Sequence, residues 1–320
     1  MQDKLIARAK ELLAAGKVQK VVGWKKGLFE DDITPAVFTT AEELDKDFVF
    51  NKFCKANLSK YLVGITRQIE TAKSTTRVNN AMAKQRDPNA ADKPIPQEVV
   101  LVFLKPNDTY SFTQLLKENR ITRSDVYAIG VPCQDTLDGG EVCETCKNKK
   151  PVSCDELIGV EAEPAPVQSK RMEEVEKLEA MTADERDAFW KNEFSRCLRC
   201  NACRDICPAC TCERCVFDNN KLYTSQKVAE TSFEESLFHI IRAWHVAGRC
   251  TDCGECSRVC PQHIPLYLLN RKFIKDINEI YGDYQAGSDM ETKPAMLTFN
   301  AEGDPETTIV WERSKEREAE

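Results

Sequence analysis

The sequence predicts an α/β N-terminal domain with a small parallel sheet, followed by an α-helical domain arranged around cysteines. Two observations carry this reading. Val99-Val-Leu-Val-Phe-Leu104 and Asp125-Val-Tyr-Ala-Ile-Gly-Val131 are apolar runs of the kind buried on both faces of a parallel sheet. Farther on, one cysteine pattern is written twice: Cys197-x2-Cys200-x2-Cys203-x3-Cys207-Pro208, then Cys250-x2-Cys253-x2-Cys256-x3-Cys260-Pro261.

In chain order, Leu5, Ile6, Ala9, Leu12 and Leu13 share one helical face that ends at Gly16. Val18 to Trp24 reads as a strand, 27–43 as irregular, and Phe48-Val-Phe50 as a short apolar run. Cys54 opens a helix through Leu58, Tyr61, Leu62 and Ile65. The polar stretch 71–96, with Pro88, Pro94 and Pro96, reads as a loop. Lys105 to Thr109 reads as the loop after the first apolar strand, and Phe112, Leu115 and Leu116 as a short helix before the second.

The α/β domain is therefore expected over 1–165, with 161–170 as a linker and 166–192 as linker and helix. Residues 171–180 read as a charged, solvated helix, and Thr182-Ala-Asp-Glu185 as the start of another. The second domain is expected over 193–280. In it Ser232 to Glu235 reads as a capping box, and Phe233, Leu237, Ile240, Ile241 and Trp244 recur at helical spacing up to Gly248. Phe233, Phe238 and Trp244 read as core. Ile264 to Ile280 reads as a last helix, and 281–320 as an extended tail that wraps a partner or its own domain, or frays.

Composition narrows the function. The chain has 320 residues, 42% hydrophobic and 30% charged, and so is globular. No apolar run is long enough to span a membrane, and the first residues carry no apolar signal core. Sixteen cysteines in that setting point to metal ligands in a reducing cytoplasm rather than disulfides. A net charge of −7 without a basic cluster gives nucleic acid nothing to bind.

The repeated cysteine pattern is the ligand run of a protein with two iron–sulfur clusters. A two-residue spacer lets three thiolates of one loop point at one cubane, and the fourth comes from the other run. This gives Cys197, Cys200, Cys203 and Cys260 to one 4Fe-4S cluster, and Cys207, Cys250, Cys253 and Cys256 to the other. Zinc needs four ligands but no third cysteine at this spacing and no following proline. Cys133, Cys143, Cys146 and Cys154 form a further set that suits zinc nearly as well as a third cluster. Cys210, Cys212 and Cys215, with Cys54, make a fourth set on arithmetic alone; the alternative is buried, inert thiols. His239, His245 and His263 read as structural.

Asn57-Leu58, Lys105 to Asp108, Leu115 to Asp125 and Ile129-Gly-Val-Pro-Cys133 resemble the beta subunits of deazaflavin-coenzyme-reducing hydrogenases and formate dehydrogenases. Cys207-Pro-Ala-Cys210, Cys212-Glu-Arg-Cys215, Arg242-Ala-Trp-His245, Gly248-Arg-Cys250 and Ile264-Pro-Leu266 are similar to the α-helical ferredoxin domain of heterodisulfide-reductase-type complexes. The resemblance implies an electron-transfer subunit of an anaerobic complex. Its partners would be a flavoprotein, hydrogenase, formate dehydrogenase or NADH module and a heterodisulfide-reductase-like module. A second reading is a flavin-containing coenzyme reductase with its own site in the α/β domain, and a third is a zinc-stapled scaffold. Lys105-Pro-Asn-Asp108 departs from the family's Lys-Gly-Cys-Asp loop, and no GxGxxG motif is present, so FAD has no motif behind it.

Overall fold

The computed structural model describes residues 1–29, 31–133, 150–159, 171–218 and 231–294. Helix α1 (Gln2–Ala14) buries Leu5, Ala9 and Leu12 and ends before Gly16, which takes a left-handed φ of 67°. Strand β1 (Lys20–Lys26) pairs antiparallel with β2 (Ile33–Phe38) and parallel with β3 (Val100–Leu104). Strand β4 (Val126–Gly130) lies parallel to β3, and the two-residue β5 (Glu156–Leu157) parallel to β4. The order is β2-β1-β3-β4-β5. The sheet is thus mixed, where a parallel one was expected.

The antiparallel strand comes from 27–43, which the sequence left irregular. β2 is a half-exposed edge strand containing Pro35, so it lacks a continuous apolar run. Helix α2 (Ala41–Asp47) follows at once. It opens with a capping box in which Thr40 and Glu43 satisfy each other's backbone N–H groups.

Helix α3 (Ser59–Arg86) runs 28 residues, through much of the expected loop. Residues 71–86 contain no glycine or proline to stop it, and Pro88 lies just past its end. Its Lys73 is buried and reaches Asp125 at 2.6 Å, which ties the helix to the foot of β4. The expected loop 105–109 is also helical. Pro106 starts helix α4 (Pro106–Lys117), since a first-turn proline gives up no hydrogen bond.

The C-terminal part is helical: α5 (Glu173–Ala180), α6 (Ala183–Phe194), α7 (Ala202–Asp205), α8 (Ser232–His245), α9 (Glu255–Arg258) and α10 (Leu266–Tyr281). Helix α5 is more than a solvated face, because Val175 and Leu178 pack on Leu268. Helix α6 is capped by Thr182 and Glu185. Helix α8 is capped by Thr231, one residue before the expected start.

The expected linker 161–170 lies outside the described residues, as does the chain beyond 294. The described part of the tail returns to its own chain. Tyr284 and Ala286 pack on Ile277. Gly287, at a φ of 76°, meets α4 so closely that a Cβ there would stand 1.9 Å from the Tyr110 carbonyl oxygen.

Candidate metal centre

The two cysteine runs fold as near copies of one loop. In the first, Arg199 and Asn201 are left-handed (φ 50° and 62°), and α7 follows. In the second, Asp252 and Gly254 are left-handed (φ 55° and 73°), and α9 follows. Alternating right- and left-handed residues turn successive backbone N–H groups inward, a concavity that suits anions and many Fe–S sites. The Arg199 N–H points at the Cys197 sulfur, 3.4 Å away. A left-handed non-glycine residue costs on the order of 1–3 kcal/mol, so three of them in two loops mark a constrained site.

Between the loops lie two cavities. One is lined by Cys197, Cys200 and Cys203 of the first run and Cys260 of the second. The other is lined by Cys250 and Cys253 of the second run and Cys207 of the first. Cys256 is buried, packs with Cys203, and has both Cys203 and Cys207 as charged neighbours. Each cavity therefore gathers cysteines from both runs.

The spacing within each group bears on the metal. Four sulfurs around one zinc at 2.3 Å would stand about 3.8 Å apart. Among the described residues, the one trio of His, Cys, Asp and Glu donors gathered within 4.8 Å is Cys197, Glu235 and His239. No three cysteines of either group are drawn that close. Burial pushes the Cys197 and Cys250 thiols up to about 12 and Cys256 up to about 11. A metal held by these thiols would have to displace their protons.

A polar shell supports the sulfurs. Arg199 donates to both carboxylate oxygens of Glu235 at 2.9 Å, and its guanidinium lies 4.1 Å from the Phe238 ring centroid. Glu235 stands 3.3 Å from His239, whose ring stacks on Phe194 at 4.3 Å. Asn270 donates to the Cys256 sulfur at 3.4 Å. Asp252 accepts from Arg171 at 2.8 Å and from Arg271 at 2.9 Å. Sequence reasoning missed this shell. The available signal was Glu235, His239 and Arg242, which share one face of α8 between the two runs. His245 and His263 are exposed.

The second cavity backs onto the α/β domain. Ser111 of α4 meets Thr251 at 2.9 Å, and Asn107 donates to the Cys253 carbonyl at 3.3 Å. The Asn57 N–H donates to Glu255 at 3.2 Å, and Arg249 pairs with Glu118 at 2.8 Å. The Lys105 loop carries structure here: its ammonium donates to the Ala56 carbonyl at 2.9 Å and pairs with Asp108 at 3.0 Å. Burial raises the Asp108 carboxyl to about 6 despite that lysine.

The remaining cysteines differ in burial. Cys54 is wholly buried in the α/β core, where its sulfur accepts from the Asn51 N–H at 3.3 Å. Cys210 is hydrogen-bonded to Cys207, which lowers Cys207 and raises Cys210. Cys212 is exposed and Cys215 half-buried. Cys133 is exposed and Cys154 half-buried, while Cys143 and Cys146 lie outside the described residues.

Residues 193–264 match the family model of the 4Fe-4S dicluster domain. The chain is 34% identical over 114 residues to the F420-dependent formate dehydrogenase subunit beta of Methanocaldococcus jannaschii, covering 35% of this chain and 28% of that protein. It is 31% identical over 107 residues to F420-dependent formate dehydrogenase 1 subunit beta of Methanococcus maripaludis, covering 33% of this chain and 26% of that one. The chain thus spans about a quarter of the length of these relatives. The matched parts are thus similar to a 4Fe-4S dicluster domain and to part of F420-dependent formate dehydrogenase beta subunits. No helix among the described residues is long and apolar enough to cross a membrane.

Proposed function

We propose that this chain is an electron-transfer subunit of a multi-subunit oxidoreductase and holds two 4Fe-4S clusters. Cys197, Cys200, Cys203 and Cys260 hold one, and Cys207, Cys250, Cys253 and Cys256 the other. The observation that carries the reading is the pair of cavities between the loops, each lined from both cysteine runs. Bound clusters supply one-electron redox chemistry, with potentials set by charge, hydrogen bonds and burial.

The chain's own residues do the rest. The left-handed loops aim N–H groups at sulfur, Asn270 donates to Cys256, and Phe194, Ile264 and Leu266 keep water from the first cavity. Cys200 at the first cavity is exposed, whereas Ser111, Gln114 and Leu115 of α4 line the second. In this reading electrons cross between an outside partner and the α/β domain. The partners are of the formate dehydrogenase, hydrogenase or NADH-module kind on one side and heterodisulfide-reductase-like on the other.

Metal analysis of anaerobically purified chain tests the reading. About eight irons per chain are expected from these eight cysteines alone. Zinc in their place would leave a stapled scaffold and no electron path.

A further inference from the structure

Helix α8 is turned opposite to its apolar pattern. Phe233 is 70% and Trp244 61% exposed, while Glu235, Phe238, His239, Arg242 and Ala243 are buried. A buried charge costs several kcal/mol unless something opposes it. Two other arginines of this domain are nearly as deep, Arg199 and Arg271, and each has a carboxylate: Glu235 and Asp252. Arg242 does not. It is 3% exposed, and none of Nε, Nη1 and Nη2 meets a hydrogen-bonding oxygen. Its electrostatic neighbours are sulfurs: Cys256 first, then Cys203, Cys207 and Cys210. Cys203 lines the first cavity and Cys207 lines the second.

We propose that Arg242 is the shared counter-cation of both clusters: a positioning residue whose fixed positive charge, set between the two cysteine groups, raises both reduction potentials. The proposal rests on the reading that these eight cysteines hold 4Fe-4S clusters. Each cluster gains one negative charge when it accepts one electron, and a fixed cation nearby favours that state over the oxidised one. An arginine suits the place because it keeps its charge when buried and offers five N–H groups in a fixed fork. A purely structural arginine would be expected to have oxygen partners, as Arg199 and Arg271 do.

The test is a mediated redox titration of the full chain, followed by electron paramagnetic resonance, with mediator dyes supplying one electron to each cluster. Arg242→Gln should hold about eight irons and bind the electron at least tenfold less favourably at both clusters, a fall of about 59 mV for a one-electron couple. Arg242→Lys keeps the charge and should shift both by less than tenfold. Loss of the exposed cation in Arg196→Gln should move neither. Loaded Arg242→Gln with unmoved potentials, or with one cluster moved and the other not, overturns the proposal. If Arg242→Gln does not load, Arg242→Lys decides: a tenfold fall at either cluster, or failure to load, overturns it as well. A wild-type chain that binds no iron removes the reading beneath the proposal, an outcome distinct from two loaded clusters with unmoved potentials.

Discussion

Asp252 shows how one residue can serve backbone and charge together. It sits at a left-handed φ of 55° inside the second loop, and its carboxylate takes both Arg171 and Arg271. All three side chains are deeply buried, so losing the carboxylate leaves two cations unopposed. Removing one partner of a buried ion pair costs about 3–5 kcal/mol. Asp252→Ala should therefore lower the stability of the C-terminal part by about that much, read from denaturant midpoints under anaerobic conditions. A loss under about 1 kcal/mol would mean that the arginines find other acceptors. Asn201 stands at the matching place to Gly254 and adopts the same hand at φ 62°. Asparagine tolerates that conformation better than most residues.

Among the elements, α8 separates what sequence could reveal from what it could not. Its existence and length were legible from apolar spacing. Its orientation was not, because the rule that apolar faces turn inward assumes an apolar interior. Here the interior is lined by thiols, and the face turned to them carries Glu235, His239 and Arg242. Phe238 and Ala243 are its apolar exceptions, Phe238 lying between Arg199 and His239. Phe238→Ala should cost about 3–5 kcal/mol, the usual loss for a buried phenylalanine. Trp244→Ser, on the outer face and 61% exposed, should stay within about 1 kcal/mol despite its contact with Phe273. Paired denaturant titrations separate them, and the reverse order would mean that the helix is turned the other way.

The other elements follow the same division. Strands β3 and β4 were plain because they are buried on both faces and apolar throughout. The second half of α3 was hidden because its residues face water and carry no apolar stripe. Only the lack of glycine or proline before Pro88 marked it. Helix α2 carried a readable capping box at Thr40 that was not used. The cysteine loops were legible because their spacing is local in sequence. The charged shell was not, because Arg199, Glu235 and Asp252 find their partners only after folding.

At the scale of the whole molecule, the two cavities differ in surroundings. The first lies within the helical part, against Phe238, His239 and Leu266. The second is shared with the sheet domain through Ser111, Gln114 and Glu118 of and beside α4. The described tail closes the same side, with Gly287 on Tyr110. The α/β domain is thereby fixed beside one cavity, so an electron arriving at the second cysteine group would already be at the domain boundary. Such a path requires that each cluster be held by both runs. Matched serine variants test that requirement most directly. Reduced Cys207→Ser should change the same electron paramagnetic resonance signal as Cys253→Ser, and Cys260→Ser the same signal as Cys200→Ser. If Cys207→Ser instead matches Cys200→Ser, each run holds its own cluster and the crossed arrangement is wrong.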